Sequence, residues 1–465
     1  MSKYYLAIDI GASSGRHILG YMDNGTMKLE EVYRFNNELV KRNGHLCWDT
    51  DKLFAEIING LKECKKLNKI PVSMGIDTWA VDFVLLDKED NILGDTVGYR
   101  DHRTNGMDEK VYSIIPEEEL YSRTGIQKQI FNTIYQLMAI KENHPDHLEE
   151  ATDFLMLPDY FNFLLTGKKL SEYTNATSTN LVNANEKDWD FELIERLGYK
   201  KDIFKPLSLP GTLVGDFKDE IAKEVGFTCQ VVLPATHDTA SAVMAVPAVD
   251  DDFIYISSGT WSLMGIESRI PITTKESMKS NLTNEGGYEY RFRFLKNIMG
   301  LWMIQSVRKE LNNEYSFPEL ASLAEEATDF PSRVDVNDSS FLSPDSMIDA
   351  IKDYCRKTNQ QVPETVGEIS TCIYQSLAES YGQTVKEIEN ITGRTYSRIH
   401  IVGGGSNADY LNNLTAQATN REVHAGPGEA TAIGNIVAQM LKDSVFESLE
   451  EARESIYKSF NIKKV

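Results

Sequence analysis

The residues with the most chemical promise are Asp9 and Asp238, far apart in the chain and each set among small or hydroxyl-bearing neighbours. Asp9 ends the apolar run "YYLAIDI" and is followed by "GASSGR", dense in glycine and serine. Backbone amides can approach a phosphate closely only where Cβ atoms are absent or small, and the Ser13 and Ser14 hydroxyls add donors. Two further turns of the same make, "SSGTWS" with Thr260 and "VGGGSN" beginning beside Gly403, also follow short apolar runs. Three such turns at strand ends in one chain point to a nucleotide site. It is not a mononucleotide P-loop: GxxxxGK[ST] has no match, and "GASSGRH" has the wrong spacing and Arg16 where lysine would stand.

An acid at the end of an apolar strand is costly to bury unless it meets a metal, water or backbone donors. Asp9 therefore fits a Mg²⁺ that keeps its waters beside phosphates, or a carboxylate capping the amides of Gly11 and Ala12; both stand open. In "LPATHDTASA", Asp238 lies between His237 and Thr239 where a helix begins. Such an acid is ordinarily an N-cap. It is also the group that alcohol phosphorylation needs to take a proton from an attacking hydroxyl. "GIDTWAVDFVLLD" and "GYRDHRT" bring Asp77, Trp79, Asp82, Arg100, Asp101, His102 and Arg103 near strand ends, a mixture suited to a polyhydroxylated ligand or to a surface ion-pair network. "GGGSNA" also fits a dinucleotide GxGxxA, with Glu422 about 20 residues on. His144 and His147 in "NHPDHL" read as solvent-facing, with no third ligand nearby.

The elements that must position these residues follow from periodicity. Residues 4–10, 16–22 and 27–35 predict a meander turned at Asn24-Gly25, the strongest short hairpin signal. Leu53, Phe54, Ile57, Ile58 and Leu61 fall at helical spacing, and "VSMGIDTWAVDFVLLD" predicts a second strand pair with a polar turn at 88–91. Residues 116–198 read as mainly helical, and residues 231–234 as a short strand entering a small-residue helix. After "PAVDDD" the pattern restarts: "FIYISSGTWSLMGI" repeats the strand, small-residue turn and strand of the N-terminus. A strand "IHIV", the glycine run, a helix to about residue 419, a strand near 421–424 and a last helix from "GPGEATAIG" complete the chain.

With 465 residues, the chain has material for two cores. Hydrophobic residues at 41% and charged residues at 25% describe an ordinary globular protein, and a net charge of -22 argues against nucleic acid or an anionic membrane as partner. Five cysteines without a CxxC pair fit neither a disulfide framework nor a zinc site and read as reduced. No leader and no run of about 18 apolar residues is visible, which predicts a cytoplasmic protein whose Asn-x-Thr triplets are not glycan sites.

Taken together, "AIDIGASSGR", "SSGTWS", "IVGGGSN" and "GPGEATAIGN" resemble, in order, the motifs of the FGGY carbohydrate kinases, members of the actin, hexokinase and Hsp70 ATPase superfamily. "GIDTWAVDFVLLD", "YRDHRT", "THDTASAV" and "NIMGLWMIQ" resemble the branch of that family acting on the ketose L-rhamnulose. The resemblance implies an α/β fold of two actin-like (ribonuclease H-like) ATPase domains with a cleft between them, at residues 1–246 and 247–465. It implies ATP bound by Ala12, Ser13, Ser14, Gly15, Arg16, Thr260, Gln305 and Gly403, with Mg²⁺ held through water near Asp9. It implies sugar contacts from Ala80, His237, Asp238, Thr239 and Asn297, Asp238 being the base that opens the 1-hydroxyl to phosphorylation. Ala80 departs from the pattern of that L-rhamnulose branch, which usually has glycine after "DTW". Another ketose such as fuculose or xylulose, or glycerol, is the alternative substrate; a sugar-independent actin- or Hsp70-like switch is the alternative class.

Overall fold

Numbering only the elements used below, the apolar run Tyr4–Ile10 (β1), buried almost throughout, pairs with Ser14–Asp23 (β2), which pairs with Thr26–Asn36 (β3), in an antiparallel meander. Asn24 and Gly25, at φ 49° and 77°, turn the second hairpin as their residue types allow. The amphipathic helix Thr50–Lys66 (α1) begins at Asp49, whose side chain accepts from the Lys52 amide, and buries Leu53, Ile57 and Leu61. Pro71–Thr78 (β4) then lies parallel to β1. Leu213–Asp216 (β5) and Gln230–Val232 (β6) finish a sheet of order β5-β6-β4-β1-β2-β3. Its core includes Leu6, Ile8, Ile10, Met74, Ile76 and Trp48. The helix Asp238–Met244 (α2) follows β6.

In this computed structural model, which describes residues 3–465, the chain divides into two α/β units. The first comprises the described residues up to Ala245 with Glu267–Phe294 and Thr431–Ser459; the second comprises Val246–Ile266, Leu295–Ala430 and Phe460–Val465. The second is built on Phe253–Ser258 (β7), Trp261–Ser268 (β8) up to Ile266, Phe292–Met299 (β9) from Leu295 onward, Arg398–Val402 (β10), Glu422–Ala425 (β11) and Lys463–Lys464 (β12). Their sheet order is β9-β8-β7-β10-β11-β12. Each unit repeats one design: β1 has β2 antiparallel on one side and β4 parallel on the other, and β7 has β8 and β10 in the same relation. The helices Trp302–Glu310 (α3), Asp409–Thr419 (α4) and Ala430–Lys442 (α5) carry residues used below.

Two expectations are corrected. Phe83–Leu86 does not pair with β4; it pairs antiparallel with Asp153–Met156, because Val81 at φ 69° breaks the strand and redirects the chain. Nor is α5 the last helix, since Leu449–Ser459 follows it. Among the described residues no helix is long and apolar enough to cross a membrane.

Candidate active site

Strand register assembles the first part of the site. Parallel pairing sets Asp9 on β1 opposite Asp77 on β4, and antiparallel pairing sets Arg16 on β2 opposite Asp9. Residues directly opposite on neighbouring strands share a face, so the two acids and the guanidinium gather there. Arg16 Nη2 donates to Asp9 Oδ2 at 2.6 Å. Asp77 is wholly buried; its Oδ2 accepts from Asn435 Nδ2 of α5 at 2.6 Å, and its Oδ1 has no hydrogen-bond partner. Burial, reinforced by the charge of Asp9, raises the Asp77 carboxyl well above the usual range. Burial and then Asp9 likewise push Asp238 up to about 7. Three carboxylates that feel one another, with Arg16 the cation among them, and one buried oxygen left unsatisfied make a donor set that fits a divalent cation.

Asp238 is held by a buried frame. His237 occupies the N-cap position of α2 in an extended conformation and Asp238 is its first residue, so Asp238 is not the cap. Its carboxylate accepts from the amide and hydroxyl of Thr239, while its side chain stays 32% exposed against 7% for His237. Just before them Thr236 is pinned twice. Its carbonyl accepts from the Thr78 amide at 2.9 Å, and its amide and hydroxyl donate to Glu172 Oε2 at 3.1 and 2.7 Å. Glu172 is fully buried and also accepts from Thr174 and Asn175. Behind His237, Arg293 Nη2 lies 3.0 Å from Nδ1 and 3.1 Å from Glu285 Oε2. Burial and the Arg293 charge hold the His237 imidazole well below its usual range. A carboxylate with a pKa near neutral, partly open to solvent at the first turn of a helix whose lead-in is hydrogen-bonded, can take a proton from an alcohol at physiological pH.

The "DTWAVDF" segment is structural to a degree its composition did not suggest. Val81 keeps its positive φ because its amide donates to Ser178 Oγ and its carbonyl accepts from Thr133 and Gln136. Asp82 is buried and accepts from the indoles of Trp48 and Trp79, the Tyr99 amide and Gln136, with the two indoles 4.1 Å apart. Asp101 is engaged by His45 and the amides of Leu46 and Arg103, and Arg103 donates to Gln136 and the Val97 carbonyl. Asp82, Asp101 and Arg103 thus hold together the loops around Ala80 through buried and half-buried hydrogen bonds rather than an exposed surface network. His144, Asp146 and His147 do have ligand atoms within 4.8 Å of one another, which corrects the absence of a third ligand; His144 and Asp146 are exposed.

In the second unit the turn after β7 and the start of α3 are joined: the Leu301 and Trp302 amides donate to the carbonyls of Gly259 and Thr260, each at 3.1 Å. That places Thr260 beside the helix bearing Gln305. Gly403 has φ 83°, and a Cβ on Gly405 would lie 1.9 Å from Ser258 Oγ, so the glycine run is required to pass the end of β7. It opens a 3₁₀ turn, Gly404–Asn407, ahead of α4. Asn297 lies on β9.

The family model for the FGGY family of carbohydrate kinases, N-terminal domain, matches residues 4–245, and that for the C-terminal domain matches residues 254–442. The chain belongs to the FGGY family of carbohydrate kinases. This FGGY kinase is 54% identical over 462 residues to a rhamnulokinase of Halalkalibacterium halodurans, covering 99% of this chain and 98% of that one. It is 43% identical to a rhamnulokinase of Bacillus subtilis, covering 99% and 94%. In structure it is similar to a gluconate kinase from Lactobacillus acidophilus, with a TM-score of 0.80, 16% identity and coverage of 100% and 93%, a likeness of fold. Membership removes the dinucleotide reading of "GGGSNA" and the sugar-independent switch. Sequence reasoning on this FGGY kinase missed Glu172, Glu285 and Arg293, which lie outside the quoted motifs, and Asn435, which closes "GPGEATAIGN" but whose bond to Asp77 depends on a contact 358 residues away in the chain.

Proposed function

We propose that the chain transfers the γ-phosphoryl group of ATP to the 1-hydroxyl of L-rhamnulose, giving L-rhamnulose 1-phosphate and ADP. The observation that carries this reading is the near full-length identity with rhamnulokinases, 54% in one case. Asp238 is the base. As O1 bonds to the γ-phosphorus and the bond from phosphorus to the β,γ-bridging oxygen breaks, the O1 proton passes to the Asp238 carboxylate. A base of pKa about 7 holds that proton without being permanently protonated beforehand.

His237, Thr239, Ala80 and Asn297 are the proposed sugar contacts. The loop Ala12–Ser13–Ser14–Gly15 and Arg16 present small residues and one guanidinium to phosphate oxygens; Thr260, Gln305 and Gly403 serve the nucleotide in the second unit. Asp9 is the proposed anchor for Mg²⁺ through water, with Arg16 moving from its ion pair toward phosphate. When bound, Mg²⁺ supplies charge neutralisation of the phosphates. The reaction belongs in the cytoplasm, where its phosphoryl donor is found. A coupled assay of ADP release tests the reading: release is expected to depend on L-rhamnulose, and Asp238→Asn to abolish most of it while ATP still raises the Tm. Equal ADP release with and without the sugar overturns it.

A further inference from the structure

Behind the base, the buried frame imposes a polarity on His237 that the phosphoryl-transfer scheme does not use. His237 Nδ1 lies 3.0 Å from Arg293 Nη2, and a guanidinium has only N–H groups, so Nδ1 must be the accepting nitrogen. Arg293 cannot turn away: its side chain is fully buried, its Nε donates to the Gly286 carbonyl at 2.9 Å, and Glu285 pairs with the Nη2 that faces the ring. Glu285 Oε2 is itself 3.3 Å from Nδ1, but a ring proton sent toward it would meet the Arg293 N–H aimed at the same nitrogen. With Nδ1 accepting from Arg293, the one ring proton belongs on Nε2. That nitrogen lies on the Asp238 side, 3.5 Å from Oδ1.

We propose that Arg293, held by Glu285, locks His237 as the Nε2–H tautomer, so that the site offers a substrate one fixed donor beside one fixed acceptor. Arg293 is then a positioning residue for substrate selection. The hydroxyl that gives its proton to Asp238 must have a neighbouring oxygen able to accept from Nε2–H, as a hydroxyketone has and as an amino or deoxy analogue lacks. This rests on the reading of His237 and Asp238 as the sugar-binding pair.

Long-range ¹H–¹⁵N spectra of the imidazole rings in the full chain, with His237 assigned among eight histidines by its loss in His237→Gln, give the direct test. A protonated Nε2 and bare Nδ1 are expected for His237 in the unmodified protein; a protonated Nδ1 overturns the proposal whatever the sugar. Kinetics give the second readout. Arg293→Gln combined with Glu285→Gln is expected to raise the KM for sugar roughly tenfold, as loss of one oriented hydrogen bond would, with the KM for ATP unchanged. His237→Gln, whose amide N–H reaches the ε position, is expected to retain more activity than His237→Asn. An unchanged sugar KM in the double variant, or the opposite order of the two His237 variants, overturns the proposal while leaving the kinase reading intact. Absence of any sugar turnover in the unmodified protein defeats the kinase reading, and the ring spectrum still decides the tautomer.

Discussion

Replacing Asp238 by asparagine should make the protein more stable and nearly inactive. The carboxyl rises from 3.8 to about 7 on folding because it is withdrawn from water and sits near the charge of Asp9. The folded state therefore binds the proton more tightly than the unfolded state, and this group's contribution to stability falls as pH rises from about 4 to about 7, then levels off. A rise of about three in pKa, at about 1.4 kcal/mol each, corresponds to about 4 kcal/mol of destabilisation at pH 8. Because the side chain is 32% exposed, screening reduces this to about 2 kcal/mol. Asparagine keeps the shape without the charge, so the first unit should gain about 3 °C in Tm at pH 8, given an unfolding entropy proportional to roughly 300 residues. At pH 5 the gain should shrink to about 1 kcal/mol or less. Sugar-dependent turnover should fall by about 10²- to 10⁴-fold. Thermal melts at pH 5 and pH 8, paired with coupled ADP release, measure both. A variant no more stable than the parent at pH 8, or one retaining near-normal turnover, would refute the electrostatic account of the base.

Asp82→Ala strips four donors, from Trp48, Trp79, Tyr99 and Gln136, of a buried acceptor and should cost about 3–5 kcal/mol in urea unfolding; a loss under about 1 kcal/mol would show that the loop is held otherwise. Gly405→Ala forces a Cβ against Ser258 and should abolish the rise in Tm given by ATP while sparing that given by sugar. His17, buried beside Tyr33 and Phe35, has its imidazole lowered to about 4 by burial, so the folded state resists its protonation and stability is lost as pH falls below about 6.5. His17→Gln, compared with the parent by urea midpoints at pH 7 and pH 5, should recover roughly 2 kcal/mol of that acid loss.

How much of this was legible in the chain depended on distance. The Asn24-Gly25 turn, the three small-residue turns and the start of α2 are local events, written in residues a few positions apart. So is the pairing of Asp9 with Arg16, once the hairpin register is known. Asp9 facing Asp77 needs a parallel register across an intervening helix, which no local pattern encodes. "YRFRF" alternates as a strand with a wet face would, yet Arg291 and Arg293 are both buried, because the second face is covered and Glu285 offsets the charge of Arg293. That the Trp79 indole donates to Asp82 was not legible, because carboxylates and indoles serve a sugar or each other equally well and only the folded loop brings the two together.

The most direct measurement is kcat/KM by coupled ADP detection across L-rhamnulose, L-fuculose, D-xylulose and glycerol, with the phosphorylated carbon assigned by NMR of the product. L-rhamnulose should give the highest value and a 1-phosphate. Preference for any of the other three, or phosphorylation at another carbon, would contradict the account.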